Sequence, residues 1–256
     1  MGLIKEIRAG NLAVKVFESR EAMGNCAASE IVACIRKLQS EKEEINMIFA
    51  AAPSQNETLA GLVTAEGIEW NRINAFHMDE YIGLPADAPQ AFGNFLKERL
   101  FDKLNFKSVN YIDDGGKDSE EVCKRYTALL ESHPIDIVCL GIGENGHIAF
   151  NDPWVADFQD KYVIKKVELD EVCRQQQVND GCFATLSDVP KFAVTLTVPT
   201  LYQADYLFCT VPASTKAEAV YNTVNHEINE DVPATIMRKH KHAVMYCDKD
   251  SAAKIL

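Results

Sequence analysis

The sequence contains no long uninterrupted hydrophobic run. No stretch of its 256 residues approaches the roughly 18 apolar residues that a membrane-spanning helix needs. Residues 1–17 alternate charged and apolar side chains and lack the continuous apolar segment of a secretory signal peptide. We therefore expect no membrane partner and a cytoplasmic location.

Cysteine and histidine also lack the spacing of a metal site. The eight cysteines are scattered, with no CxxC pair and no Cys/His cluster at zinc-ligand spacing. Several lie inside apolar runs such as IDIVCLGIG and DYLFCTVP, which favours buried, reduced thiols. The cysteines therefore predict no metal site.

Positive charge is scarce relative to negative charge. The chain has 26 Lys and Arg against 38 Asp and Glu, which gives a formal net charge of −12. Such a surface repels nucleic-acid phosphates and anionic lipids, so we expect no nucleic-acid partner. A small anionic substrate is still compatible with this charge, because a few local cations can dominate a pocket.

Internal repeats, low-complexity tracts and Pro/Ser-rich linkers are missing too, so we interpret residues 1–256 as one domain. Short apolar runs alternate with longer amphipathic segments, a pattern typical of βαβ units. It predicts an α/β fold with three layers, in which helices cover both faces of a doubly wound, mainly parallel sheet. The predicted strands lie near Leu12–Phe17, Ile45–Ala51, Ile73–Met78, Val109–Ile112, Ile135–Gly141, Tyr162–Val167, Ala193–Val198, Tyr206–Val211 and Ala243–Cys247. The clearest predicted helices are Arg20–Leu38, Ser54–Glu66, Phe92–Leu104, Ser119–Ser132 and Ser214–Val224.

Four polar segments follow predicted strands, and ligands of open parallel sheets bind beyond the carboxyl ends of the strands. These segments are APSQNET, HMDEYIGL, GIGENGHIAFNDP and PASTK. We therefore expect them to meet around one binding site.

The run GIGENGHIAFNDP, residues 141–153, combines three glycines with a histidine, two amides and two acids. Glycines allow a sharp turn and a close approach of the backbone to a ligand. His147 is the one residue of the run that exchanges a proton near neutral pH without a large pKa shift. Alone, such a histidine is more often structural than catalytic.

The run FHMDEYIGL, residues 76–84, places Asp79 and Glu80 directly after an apolar strand. Neighbouring side chains of an extended segment point in opposite directions, so one acid can face a pocket while the other caps or pairs elsewhere. The alternative is two acids that begin a solvated loop. His77 either lines the pocket beside Asp79 or packs against the sheet, and His226, His240 and His242 receive no role.

Together, HMDEYIGL and GIGENGHIAFNDP resemble the paired signature of the glucosamine-6-phosphate deaminase/isomerase family, in the same order and at similar spacing. The resemblance covers nearly the whole chain, as far as AVMYCDKDSA, which looks like the family's last strand. It implies conversion of glucosamine 6-phosphate to fructose 6-phosphate with loss of ammonia. It also implies that Asp79 moves a proton between two adjacent carbons and that His147 assists opening of the sugar ring.

This division of labour is chemically sound. One carboxylate held between two carbons can remove a carbon-bound proton and return it to the neighbouring carbon, while ring opening needs a separate proton-transfer group. Backbone N–H groups of the glycine-rich loop, including that of Gly146, are candidates for substrate contact. No metal or organic cofactor is called for.

Two positions depart from the better-known members of the family. These carry Asp two positions before the His, where this chain has Asn145, and commonly Glu where this chain has Asp152. An amide can hold an imidazole by hydrogen bonding but cannot stabilise an imidazolium as a carboxylate does. Asn145 and Asp152 are therefore counted as candidate catalytic residues, with Asp152 or Glu144 available to compensate.

The expected phosphate-binding segment reads AAPSQNETL instead of being Gly/Thr-rich. Ser54 and Glu57 form an S-x-x-E capping box, which predicts a capped helix start, and a helix N-terminus also binds anions. Ser54 is the first candidate for phosphate contact, and Gln55 and Asn56 are the second.

Two cations complete the predicted phosphate site. Lys216, in PASTK, matches the family's phosphate-binding lysine, although an exposed surface lysine is the alternative. The family's arginine before the VPK run has no counterpart at the expected place, and Arg174 is the nearest candidate.

Three readings stay open at this point. The leading one is an isomerase/deaminase of an amino-sugar 6-phosphate. A 6-phosphogluconolactonase-like hydrolase shares the fold and a related glycine loop, but such enzymes lack MDEY. A non-catalytic sugar-phosphate sensor is motivated by Asn145 and opposed by the presence of both Asp79 and His147.

The sequence ends shortly after the last predicted strand, without the C-terminal extension of the hexameric, allosteric members. We therefore expect a monomer or small homo-oligomer whose partner is a small phosphosugar.

Overall fold

The computed structural model describes residues 2–112 and 118–256. Its strands are β1 (Leu3–Ala9), β2 (Leu12–Phe17), β3 (Ile45–Phe49), β4 (Ile73–His77), β5 (Asp79–Tyr81), β6 (Ser108–Asn110), β7 (Ile137–Leu140), β8 (Ile164–Glu168), β9 (Phe192–Leu196), β10 (Tyr206–Val211) and β11 (Ala243–Asp248). Its α-helices are α1 (Arg20–Glu41), α2 (Asn56–Val63), α3 (Phe92–Leu96), α4 (Ser119–Glu131), α5 (Glu171–Asn179), α6 (Val198–Tyr202) and α7 (Ala217–Asn225).

Eight strands form the central sheet in the order β1-β2-β11-β10-β7-β3-β4-β6. Every neighbouring pair is parallel except β1 and β2, which form an antiparallel pair at one edge. The prediction of a mainly parallel sheet is therefore confirmed. The strand order changes direction around β7, between β3 and β10, which is where open α/β sheets bind their ligands.

A second, three-stranded antiparallel sheet has the order β5-β9-β8. The strands predicted at 162–167 and 193–198 belong to this sheet and not to the central one. Alternation of strands and helices in the sequence did not distinguish them, because a short apolar strand has the same pattern in either sheet.

Helices pack on both faces of the central sheet. Alternate residues of β3 show why: Met47 and Phe49 contribute to the core cluster that includes α1 and α2, whereas Ile48 contributes to the cluster that includes α4 and α7. Successive side chains of a strand point to opposite faces, so an almost wholly apolar strand is covered on both sides. The predicted three-layer arrangement follows from this pattern.

Helices α1 and α2 lie unusually close together. A Cβ atom at Gly24 of α1 would overlap Glu57 of α2, and one at Gly61 of α2 would lie 2.6 Å from Cβ of Ala28. Glycine in a helix costs about 1 kcal/mol relative to alanine, so the close approach has an energetic cost. It brings the first turn of α1 next to the loop after β3.

Helix α5 was not predicted from the sequence. Its buried residues are Cys173, Arg174, Gln176 and Gln177, so the face that it buries is mostly polar. A helix of this kind lacks the hydrophobic periodicity by which helices are recognised. Over the parts of the chain that are described, no helix has the length and hydrophobicity required to cross a membrane.

Candidate active site

One pocket is surrounded by the segments that follow β2, β3, β4, β7 and β10, all at the carboxyl edge of the central sheet. All four polar segments singled out in the sequence contribute to it. The residues that line the pocket are Arg20, Ala50, Ala51, Ala52, Pro53, Ser54, Met78, Asp79, Phe92, Gly141, Ile142, Gly143, His147, Ala149, Phe150, Gln176, Gln177, Asp180, Pro212, Ala213, Thr215 and Lys216. The carboxylate of Asp79 and the imidazole of His147 therefore share one cavity.

Asp79 and Glu80 have different environments, as the extended geometry of their segment allows. Asp79 lines the pocket. The carboxylate of Glu80 accepts hydrogen bonds from the backbone N–H groups of Tyr81 (2.9 Å), Phe92 (3.0 Å) and Gly93 (2.8 Å), the last two at the start of α3. Asp79 is thus the acid that is available to a ligand, and Glu80 holds the loop.

Burial raises the pKa of Asp79 well above its ordinary value, and the negative charge of Glu80 raises it further. A carboxylate with a raised pKa is a stronger base than one in water. A pKa closer to the working pH is what general base catalysis at carbon requires. The environment of Asp79 therefore suits proton abstraction.

His77 packs beneath Asp79 and does not line the pocket. Its Nδ1 lies 3.0 Å from the backbone oxygen of Asp79, and its Nε2 accepts a hydrogen bond from the N–H of Ile112 (2.8 Å). Since Nε2 accepts, Nδ1 carries the proton and donates a hydrogen bond to the backbone oxygen of Asp79. Burial lowers the pKa of His77 to about 4, which keeps the ring neutral. His77 positions the backbone of Asp79.

Strand β9 connects the loop that carries Asp79 to the loop that carries His147. Thr195 pairs with Asp79 in the antiparallel β5–β9 ladder. The hydroxyl oxygen of Thr195 also accepts a hydrogen bond from the N–H of Phe150 (3.1 Å), and the side chain of Asn151 donates to the backbone oxygen of Leu196 (2.8 Å). Two segments that are distant in sequence are thereby fixed against the same strand.

The glycines of the 141–153 loop shape the surroundings of His147. The imidazole lies directly over Gly143, where any Cβ atom would overlap the ring. The backbone of Gly143 donates to the carbonyl of His147 (2.9 Å). Gly146 has a φ of +82°, a conformation that favours glycine, and a Cβ there would approach Val232 to 2.7 Å.

Asp152 is the carboxylate beside His147. Its Oδ1 lies 3.0 Å from Nδ1 of His147, although the approach is not directed as a hydrogen bond. The sequence suggested that the amide of Asn145 could hold the imidazole of His147 by a hydrogen bond, but this bond is not formed. Instead its Oδ1 accepts from the backbone N–H of His147 (3.0 Å) and its Nδ2 donates to Oδ1 of Asp152 (2.9 Å).

Asp152 is ionised in this arrangement. Burial by itself would raise the pKa of Asp152, but the adjacent imidazole of His147 and the amide of Asn145 hold it below its ordinary value. A buried anion beside Nδ1 favours the ring tautomer with a proton on Nδ1 and stabilises an imidazolium. Asp152 therefore supplies the charge that Asn145 cannot.

The other end of the pocket carries the cations. Lys216 is buried, and its Nζ has no hydrogen-bond partner among residues 2–112 and 118–256. Burial lowers the pKa of Lys216, while the carboxylates of Asp180 and Glu144 oppose the shift. A buried ammonium without a partner is costly unless a ligand pairs with it. The surface-lysine alternative for Lys216 is therefore wrong.

Arg20, which sequence reasoning missed, is the second cation of this end. Its Nε donates to Oε1 of Glu57 (2.7 Å), and its Nη2 donates to the carbonyl of Pro53. These contacts fix the plane of the guanidinium next to Ser54. Arg20 follows the first predicted strand at the start of a helix, and this position at the ligand-binding edge was the one signal that could have identified it.

Four of the predicted contact residues are not among the residues that line this pocket. Gln55 donates to Ser54 and to the carbonyl of Leu140, and Asn56 accepts from Arg99. The N–H and carbonyl of Gly146 bond to Gly143 and Ala234, and the guanidinium of Arg174 donates to the carbonyls of Leu186 and Val189. These polar groups bond within the protein fold.

The capping box predicted from Ser54 and Glu57 is also wrong, because Gln55 precedes α2 and Glu57 pairs with Arg20.

Helix α5 and the residue that follows it contribute three further residues that the sequence did not reveal: Gln176, Gln177 and Asp180. Their positions could not be inferred, because the helix itself was not predicted.

Beside the pocket, α5 also brings Cys173 close to Asp152 and His147. One nitrogen, oxygen or sulfur atom from each of these three side chains lies within 4.8 Å of the others, and all three residues are buried. They form a candidate metal-binding cluster.

Two residues that line the pocket have strained backbones. Ala149 has a φ of +51° and Ala213 a φ of +83°, values rare for residues with a side chain. The N–H of Ala213 donates to the carboxylate of Asp248, at 3.0 Å from its Oδ2, which helps to hold this conformation. Strain of about 1–3 kcal/mol at such positions clusters at functional sites.

Residues 18–159 match a model of the family described as glucosamine-6-phosphate isomerases/6-phosphogluconolactonase. The chain is 36% identical over 185 residues to a glucosamine-6-phosphate deaminase of Bacillus cereus (strain B4264), covering 72% of this chain and 68% of the relative. It is 32% identical over 219 residues to a glucosamine-6-phosphate deaminase of Shouchella clausii (strain KSM-K16), covering 84% and 87%.

Solved structures give the same picture. The fold is similar to that of a monomeric glucosamine-6-phosphate deaminase, with a TM-score of 0.84 and 27% identity over 94% of this chain and 98% of the other. It is also similar to a 6-phosphogluconolactonase from Thermotoga maritima, with a TM-score of 0.75 and 21% identity over 93% of this chain and 100% of the other. The second similarity concerns the fold alone.

Proposed function

Because the chain belongs to the family of glucosamine-6-phosphate isomerases and 6-phosphogluconolactonases, we propose that it converts glucosamine 6-phosphate to fructose 6-phosphate and ammonia. The resemblance inferred from HMDEYIGL and GIGENGHIAFNDP is thereby confirmed. The observation that carries the proposal is the convergence of Asp79, His147 and Lys216 on one pocket. A basic carboxylate, an imidazole and a buried cation are the three groups that the reaction needs.

Substrate binding begins at the cationic end. Lys216 and Arg20 pair with the phosphate, and the hydroxyl of Ser54 donates to it. The phosphate then relieves the cost of burying the unpaired ammonium of Lys216. The sugar extends from there toward Asp79 and His147.

Ring opening falls to His147. Its Nδ1 is next to Asp152, so Nε2, on the other side of the ring, is directed to the pocket that His147 lines. Nε2 accepts the proton of the anomeric hydroxyl and delivers a proton to the ring oxygen. The anion of Asp152 stabilises the imidazolium formed between these two transfers.

Asp79 then moves the carbon-bound proton. Its carboxylate removes the proton from C2 of the open-chain aldehyde, which gives the amino-substituted enolate, and returns the proton to C1; O1 takes a proton from the nitrogen on C2. The resulting imine at C2 is hydrolysed by water to fructose 6-phosphate and ammonia. Because the two carbons are adjacent, one carboxylate serves both steps.

The assay that tests this proposal follows ammonia and fructose 6-phosphate together, with purified protein and glucosamine 6-phosphate. We expect the two products in equal amounts, and no hydrolysis of 6-phosphogluconolactone supplied in parallel. Lactone hydrolysis without ammonia release would contradict the proposal in favour of the hydrolase. Binding of the phosphosugar without turnover would contradict it in favour of a sensor.

Arg20 provides a prediction about phosphate recognition. The change Arg20→Leu removes one charge-assisted contact worth about 1.5–3 kcal/mol, so we expect KM to rise by about tenfold to a hundredfold with kcat nearly unchanged. The KM of Arg20→Lys should lie between the values for the wild type and for Arg20→Leu. Steady-state kinetics measure the split between KM and kcat.

The matched control is Arg36→Leu. Arg36 lies on the same helix and also donates to a backbone carbonyl, that of Glu66, but it is exposed and outside the pocket. Its replacement should leave KM unchanged. An unchanged KM in Arg20→Leu would remove Arg20 from the proposed phosphate site.

Four broader statements belong to the same proposal. We assign the activity to residues 1–256 as one domain, and we place the protein in the cytoplasm, which its eight free cysteines support. Similarity to a monomeric deaminase supports a monomer or small homo-oligomer. The net charge of −12 opposes nucleic acid as a partner. Small-angle scattering of the purified protein would measure the oligomeric state.

A further inference from the structure

Beneath the imidazole of His147, two further side chains meet in a buried cluster. A ring nitrogen of His147, a carboxylate oxygen of Asp152 and Sγ of Cys173 all lie within 4.8 Å of one another, and the nitrogen that faces Asp152 is Nδ1, at 3.0 Å from Oδ1. All three residues are buried, with Asp152 completely inaccessible. Only His147 of the three also lines the pocket, so the cluster adjoins the pocket through the ring.

Two atoms of this cluster lack hydrogen bonds. Nδ1 of His147 and Oδ2 of Asp152 are both buried, and neither has a hydrogen-bond partner within the described parts of the chain. Buried polar atoms are nearly always satisfied, and each exception calls for an explanation such as an ion. Two such atoms in one cluster, on side chains that approach to 3.0 Å, point to a shared ligand.

We propose that His147, Asp152 and Cys173 form a binding site for a zinc-class divalent cation. Imidazole nitrogen, carboxylate oxygen and thiolate sulfur bind Zn²⁺ at about 2.0–2.3 Å, so three atoms gathered this closely reach one ion with small side-chain adjustments. Mg²⁺ and Ca²⁺ prefer sites built from oxygen alone. Thiolate favours the softer ions of the zinc class.

Binding changes the state of two ligands. The cation forms bonds to Nδ1, to a carboxylate oxygen and to Sγ, and the thiol proton of Cys173 leaves to solvent. With the cation on Nδ1, the neutral ring carries its proton on Nε2. That nitrogen can then donate a proton to the pocket but cannot accept one.

The consequence for catalysis rests on the proposed function, whereas binding itself does not. Ring opening requires Nε2 to accept the anomeric proton before it protonates the ring oxygen. A cation on Nδ1 blocks the first of these transfers. The site therefore acts as an inhibitory switch, through which a zinc-class ion reversibly stops turnover.

The binding test uses Co²⁺ as the probe, because a cobalt–thiolate bond gives a charge-transfer absorption band in the near ultraviolet. Titration of the metal-free full-length protein should produce this band with one equivalent of Co²⁺. Cys173→Ser should lose the band and weaken Zn²⁺ binding, measured by competition, at least tenfold. The matched control Cys182→Ser, a half-buried cysteine just beyond the same helix, should keep both.

Two results would overturn the site: no band in the wild-type protein, or a band unchanged in Cys173→Ser. The wild-type titration decides the matter even if the Cys173 variant does not fold. In the deaminase assay, Zn²⁺ should inhibit the wild type reversibly upon chelation and inhibit Cys173→Ser at least tenfold more weakly. A cobalt band without inhibition by Zn²⁺ would support the binding site and refute the inhibitory switch. If the protein has no deaminase activity at all, the proposed function is refuted, but the evidence from the cobalt band for the binding site is unaffected.

Discussion

Replacing Asp79 with asparagine is expected to lower kcat for ammonia release by about a thousandfold, within the range by which general acid–base groups contribute to catalysis. The carboxamide has nearly the shape of the carboxylate but cannot accept the proton from C2. KM should change little, because Lys216 and Arg20 hold the phosphate at the other end of the pocket. The measurement is steady-state kinetics of ammonia and fructose 6-phosphate formation.

The same change should stabilise the protein at neutral pH. Burial and the charge of Glu80 raise the pKa of Asp79 in the folded state, so the folded state binds more protons than the unfolded state between about pH 3.9 and the raised pKa. The free energy of unfolding of the wild type therefore falls as pH rises through this window. Asparagine carries no charge and avoids that loss.

Urea denaturation at several pH values measures this effect. The difference in unfolding free energy between Asp79→Asn and wild type should be smallest near pH 4 and should grow as pH rises. Asp87→Asn is the matched control, since it removes an exposed carboxylate from the segment that follows β5 and should alter neither kcat nor this pH dependence. A variant with full activity would refute the role of Asp79, and a variant less stable than wild type at pH 8 would refute the burial argument.

The second large effect is expected for His147→Gln. Glutamine cannot relay a proton from the anomeric hydroxyl to the ring oxygen, so we expect turnover of cyclic glucosamine 6-phosphate to fall by about a hundredfold or more. The loss should be below tenfold on an open-chain analogue whose C4 and C5 hydroxyls are methylated, because that substrate needs no ring opening.

Comparison of the two substrates in one variant separates ring opening from proton transfer at carbon. Equal losses on both would contradict the assignment of ring opening to His147. His226→Gln, at an exposed histidine outside the pocket, controls for the loss of an imidazole and should leave both rates unchanged.

Sequence alone predicted the part of the site that lies on the ends of parallel strands. HMDEYIGL and GIGENGHIAFNDP follow β4 and β7, and strands of a parallel sheet place their carboxyl ends at one edge. Asp79, His147, Ser54 and Lys216 therefore met as expected. The separate roles of Asp79 and Glu80 also followed from the alternation of side chains in an extended segment.

The rest depended on contacts that no local pattern records. Helix α5 buries amides and an arginine, so its polar sequence gave no helical periodicity. Its residues Gln176 and Gln177 and the following Asp180 therefore remained unassigned. Arg174 does not line the pocket, and its guanidinium donates to two backbone carbonyls. Arg20 reaches the pocket because two glycines let α1 and α2 approach each other. Sequence distance likewise concealed the approach of Cys173 to His147.

The most direct test of the central claim is a crystal structure with 2-amino-2-deoxyglucitol 6-phosphate, an acyclic analogue of the open-chain substrate. We predict that its phosphate contacts Lys216, Arg20 and Ser54, that the carboxylate of Asp79 lies between C1 and C2, and that His147 faces the hydroxyl at C5. A ligand bound in this pocket with C1 and C2 away from Asp79, or bound elsewhere on the protein, would contradict the proposed reaction.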